Sequence, residues 1–137
     1  MAEGSGVEGP STFLRSFVRG HHEYYRTWTP VIGDQLPVKR ELSNVHDPFT
    51  IAVWKDGVVG HAPKSLSKTM SFFLNHDSNV VLCEVTGPRV NRGVGLGMEV
   101  PCVYKFYGRR SHINKLEDIF LECSKYCICT TPAVLPS

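Results

Sequence analysis

The pair Asp56-Gly57 interrupts an apolar stretch, FTIAVWKDGVVGHAP, with Phe49–Trp54 on one side and Val58–Val59 on the other. Asp-Gly between apolar runs is a strong local hairpin signal, because the tight turn that matches strand twist needs positive φ at its centre. The two runs are therefore expected to pair antiparallel. From Ser65 the period changes. Leu66, Met70 and Phe73 fall at i, i+4 and i+7, with Leu74 beside them, and predict an amphipathic helix of three turns. Lys64 and Lys68 lie on its opposite, solvated face.

Further short strands surround this unit. TFLRSFVRGHHEYYRTW alternates from Phe13 and predicts an irregular first strand bent at Gly20. LPVKREL predicts a second, with Pro37 marking an edge or a strand start. NVVLCEVTG and EVPCVYKFYG predict two more, joined by a Gly/Arg-rich loop. Ile113, Leu116, Phe120 and Cys123 stand at helical spacing and predict a closing helix. The expected fold class is mainly β: a small OB-like or SH3-like β-barrel of about six strands, with one central helix and a C-terminal helix. The expected organisation is a flexible leader over residues 1–12, a barrel over 13–112, and a helix and tail over 113–137. A chain of 137 residues suits one such domain.

Composition narrows the class. Hydrophobic residues make up 42% and charged ones 20%, a globular balance rather than a disordered one. No apolar run approaches the roughly 18 residues of a membrane span, so no membrane partner is expected. Nor does MAEGSGVEGPST resemble a secretory signal. Without one, five cysteines argue for a reducing compartment, so an intracellular and, given the ligand considered below, nuclear location is expected. Net charge is only +2, yet residues 13–112 hold 13 Lys/Arg against 8 Asp/Glu and all six histidines. A mildly basic body is compatible with a polyanion partner.

Taken in order, RGHHEYY, VKRELSNVHDPFTIAV, DGVVGHAPKSLS and EVPCVYKFYG resemble the HIRAN domain, over roughly residues 18–108. The most specific part is an Asn-x-x-Asp turn before a strand, followed by Gly-His-x-x-Lys opening a helix. The resemblance implies a modified OB barrel that grips the 3′ end of single-stranded DNA. By position, Asp47, His61 and Lys64 match the family's end-binding residues, and Tyr24 and Tyr25 its stacking tyrosines. His46 stands where the family pattern has tyrosine, and Met98 where it has a loop aromatic.

The residue chemistry bears on the same positions independently of that resemblance. A carboxylate at Asp47 accepts a hydrogen bond from a terminal hydroxyl and repels the phosphate of a continuing strand. The same Asp before Pro48 also suits an Asx turn onto its own backbone. His61 and Lys64 lie at a helix start that favours anions, or form an ordinary strand-to-helix corner. Arg19 is a further candidate for phosphate. Tyr24, Tyr25 and Trp28 offer flat faces for bases, but neighbours in a strand point to opposite sides, so only one of the tyrosine pair is expected to stack.

Other constellations carry less. The glycines of PRVNRGVGLG precede a strand rather than a helix, unlike a dinucleotide loop. Cys123, Cys127 and Cys129, even with His112, lack the paired ligand spacing of structural zinc sites. No nucleophile elbow, P-loop or His-Glu-x-x-His motif occurs. The expectation is a non-catalytic module binding single-stranded DNA at a free 3′ hydroxyl, without metal or cofactor. Two alternatives stand beside it: a protein-interaction module on the same barrel, with the C-terminal helix as a further contact, and an enzyme using Cys102 or the terminal thiols.

Overall fold

The structure, a computed structural model, describes residues 9–20, 28–42, 45, 47–91 and 97–126, with side chains as far as Glu122. In chain order the elements are β1 (Ser11–Val18), β2 (Gln35–Arg40), β3 (Ile51–Trp54), β4 (Val58–His61), α1 (Lys64–Leu74), β5 (Val80–Val85), β6 (Val90–Asn91), β7 (Met98–Tyr107) and α2 (Arg110–Tyr126). The Asp-Gly hairpin forms as expected, with Asp56 at φ 58° and Gly57 at φ 126°. It joins β3 to β4 antiparallel, with a register irregularity at Val53/Trp54 that adds twist.

The strands form one antiparallel sheet in the order β1-β7-β5-β2-β3-β4, with the short β6 paired to β7. β6 is an addition to the strands expected from sequence. The sheet curls until its two ends meet. Arg19, the residue after β1, pairs with His61 at the end of β4, each amide donating to the other's carbonyl at 2.7 and 2.9 Å. Two reciprocal hydrogen bonds are the seam of the barrel.

Pro37 departs from expectation. It is neither on an edge strand nor at a strand start, since β2 runs between β5 and β3. The strand changes partners there: Gln35–Pro37 pair with β5, and Val38–Arg40 pair with β3. A residue without an N–H is tolerated where one ladder ends and the next begins.

Strand alternation explains the interior. Thr12, Leu14, Ser16 and Val18 of β1 are all buried. Ile51, Val53 and Val59 of the hairpin are at most 2% exposed. Full burial of each such side chain contributes about 1.5–3 kcal/mol. Tyr104 is wholly buried and its hydroxyl donates to the Phe17 carbonyl at 2.7 Å, so the core holds a polar group without leaving it unpaired.

Both helices close on the same strand. Leu66, Met70 and Phe73 of α1 are buried as the period predicts, and so are Ile113, Leu116 and Phe120 of α2. The Phe106 ring on β7 lies 5.5 Å from Phe73 and 5.5 Å from Phe120. The C-terminal helix is thus part of the core, and among its described side chains Leu121 is a large apolar one left outward. Among the described residues no helix is long and apolar enough to cross a membrane.

Candidate functional site

The barrel seam and the start of α1 border one groove of about 520 Å³, lined by Arg19, Asp47, His61, Lys64 and their neighbours Thr50 and Ser67. Four of the seven site residues expected from sequence therefore come together. The other three, Tyr24, Tyr25 and His46, lie outside the described residues. Trp28, offered above as a stacking face, is instead 3% exposed in the core, because the chain entering β2 folds its indole inward.

Each side chain is held by its local fold. Arg19 sits at the seam, followed by Gly20 at φ 76°, a left-handed conformation that turns the chain out of the strand. Its Nε donates to Glu99 Oε2 at 2.8 Å, and the Glu99 side chain is only 8% exposed. Asp47 makes the Asx turn: its Oδ1 accepts the Phe49 amide at 2.9 Å, while its carbonyl accepts the Thr50 amide at 3.2 Å. The turn reading of Asp47 is correct at the level of geometry. It also fixes the carboxylate at the groove wall, so the two readings of Asp47 are compatible.

His61 ends β4 with its Nε2 2.8 Å from Glu41 Oε1, just beyond β2. Lys64 opens α1 and is exposed. Its carbonyl accepts the Ser67 hydroxyl at 3.0 Å. Pro63 precedes the helix, no side chain caps its first amides, and no acid stands in the first turn. Helix-start amides and a lysine at one wall favour an anion there. Glu41 and Glu99 are the residues sequence reasoning missed. Nothing local marks either one, since each meets its partner only through the sheet.

The thiol chemistry falls differently. Cys102 and Cys83 are free and wholly buried. A hydrogen bond with Cys102, then burial, push the Cys83 thiol well above its usual range. Cys83, held in this way, lacks the access and thiolate character of a nucleophile, and Cys102 is equally closed off from solvent. His112, considered above beside the terminal cysteines, stacks on His76 at 4.1 Å, and its Nδ1 accepts from Asn79 Nδ2 at 3.0 Å. Among the described residues no group of three or more His, Cys, Asp or Glu is placed to hold a metal.

Neither a family model nor a curated protein matches the chain. Solved structures do. The crystal structure of the HIRAN domain of human HLTF superposes with a TM-score of 0.62 at 21% identity, covering 82% of this chain and 91% of that one. The fold is HIRAN-like. The NMR structure of the HLTF HIRAN domain agrees, with a TM-score of 0.53 at 18% identity over 81% and 90% of the two chains. In the HIRAN-like frame, Met98 is the first residue of β7 and pairs with Asn91 of β6, apart from the lining of the groove.

Proposed function

We propose that the groove binds nucleic acid, and that its ligand is single-stranded DNA ending in a free 3′ hydroxyl. The observation that carries this reading is the meeting of Arg19, Asp47, His61 and Lys64 around one opening at a helix start. Lys64, the helix amides, His61 and Arg19 hold phosphate. Asp47 accepts the terminal hydroxyl and repels a further phosphate. One of Tyr24 and Tyr25 stacks on the terminal base. The HIRAN-like fold supports the assignment, and no step of it requires a metal, a cofactor or catalysis. A DNA end as ligand supports a nuclear location.

Fluorescence anisotropy with short oligonucleotides carrying a 3′ hydroxyl or a 3′ phosphate tests this. Asp47→Asn keeps an acceptor for the Phe49 amide and removes the charge, so it separates the turn from the recognition. The expected result is a hydroxyl preference in the native protein that disappears in Asp47→Asn. Binding should weaken as salt rises, and Lys64→Ala should lower the log–log slope by about 0.7, one single-strand phosphate contact. Salt-insensitive or absent binding to both oligonucleotides overturns the reading and leaves a barrel that recognises protein.

A further inference from the structure

The chemistry of the groove continues along the outside of α1. Lys64, Lys68 and Phe72 stand at i, i+4 and i+8, so they share one stripe of the helix, about 12 Å long at 1.5 Å per residue. All three are exposed, Phe72 at 58%. Phe49 rises beside this stripe from the Asp47 turn. Its amide is the one that Asp47 Oδ1 holds, its ring meets Phe72 at 5.8 Å and 71°, and Lys68 Nζ lies 5.5 Å from the ring centre. The sequence of α1, KSLSKTMSFFL, contains no acid.

This surface differs from the apolar stripe that docks a partner helix. The continuous apolar row of α1, Leu66, Met70 and Phe73, is already buried in the core. What remains outside interleaves cations with aromatic rings, the combination that tracks a single strand by phosphate attraction and base stacking. It also begins at Lys64 and Asp47, which line the groove.

On the reading that the groove holds a nucleic-acid end, we infer that the strand leaves it along α1. Lys64 and Lys68 follow successive phosphates, and Phe72, braced by Phe49, stacks a base inward of the terminal one. The site thus takes several nucleotides rather than one terminal nucleotide.

Affinity as a function of oligonucleotide length tests the track separately from the end. With 3′-hydroxyl dinucleotide, tetranucleotide and octanucleotide probes, the native protein should bind more tightly as length grows. Phe72→Ala should remove at least about fivefold of that gain, since stacking contributes at least about 1 kcal/mol per base. Its dinucleotide affinity and hydroxyl preference should stay native, and Phe72→Tyr should keep the gain. Lys68→Ala should lower the salt slope by about 0.7 on the tetranucleotide and octanucleotide and leave it unchanged on the dinucleotide. If Phe72→Ala follows the native protein at every length while the hydroxyl preference persists, the track is wrong and the end site stands. If no probe binds the native protein, both fall together.

Discussion

Arg19 and His61 exchange backbone hydrogen bonds of 2.7 and 2.9 Å, and their side chains line the same groove. The closure of the barrel and one wall of the candidate site are therefore one feature. Whatever opens the seam also separates the two side chains. This connection between stability and recognition makes the seam the first place to perturb.

Gly60 lies one residue from the seam, and a Cβ built there collides with Val18 Cγ1 and comes within 3.0 Å of the Arg19 carbonyl oxygen. Both obstacles belong to β1 and its extension, so neither gives easily. Gly60→Ala should cost about 1–3 kcal/mol, the usual penalty of overpacking. The urea midpoint measures it, and an unchanged midpoint would show that β1 and β4 can part without loss.

Glu99 is buried and pairs with Arg19. Removing Arg19 leaves a carboxylate in a site built for an ion pair. Arg19→Ala should therefore destabilise by about 1–3 kcal/mol, a figure kept low because the arginine side chain is 42% exposed. Glu99→Gln in the same chain should recover part of the loss. A double-mutant cycle by chemical denaturation reads the coupling. Additive single effects would mean that the pair contributes nothing, and that Arg19 is kept for its ligand alone.

Glu41 holds the His61 ring at 2.8 Å. Glu41→Gln retains an acceptor oxygen for Nε2 and removes a negative charge from beside the groove. Glu41→Ala removes this contact from the ring. Oligonucleotide binding should stay native or tighten in the first and weaken several-fold in the second, with folding stability changed by under about 1 kcal/mol in both because the pair is half-exposed. Equal binding by the two variants would remove His61 orientation from the account.

At the other end of the helices, Asn79 donates to the Phe73 carbonyl and to His112 Nδ1, and its Oδ1 accepts the Arg109 amide. Loss of water around His112, then the nearby His76 and Arg109, lower the His112 pKa from its ordinary 6.5. The folded protein then binds fewer protons than the unfolded chain just below pH 6.5. Stability from this group is present above pH 6.5, falls as pH drops through the lowered folded value, and levels off below it. Urea midpoints between pH 7.5 and 5 should decline in the native protein and decline less in His112→Gln. Parallel curves would assign the pH dependence to other histidines.

Local patterns carried part of the fold plainly. Asp56-Gly57 required a positive-φ turn, and Leu66, Met70 and Phe73 required a helix with one face in the core, because both signals act between residues near in sequence. Asp47 and Lys64 were legible for the same reason, one as a turn residue before Pro48 and one as the opening of a helix. Pro37 was misread because its tolerance depends on β2 exchanging β5 for β3, which no local rule contains. Trp28 was misread because an aromatic beside arginines looks the same in sequence whether it faces solvent or core.

The sequence alone thus determined both helices, the longer strands, the hairpin and the kinds of side chain at the groove, since propensity and periodicity work over a few residues. Only the tertiary structure decided which charges meet. Glu99 reaches Arg19 through the register of β1 on β7, Glu41 reaches His61 across β3, and the two pairs meet because the sheet curls until the end of β1 reaches β4. Long-range register sets those distances, and register follows from how a whole barrel fills its interior.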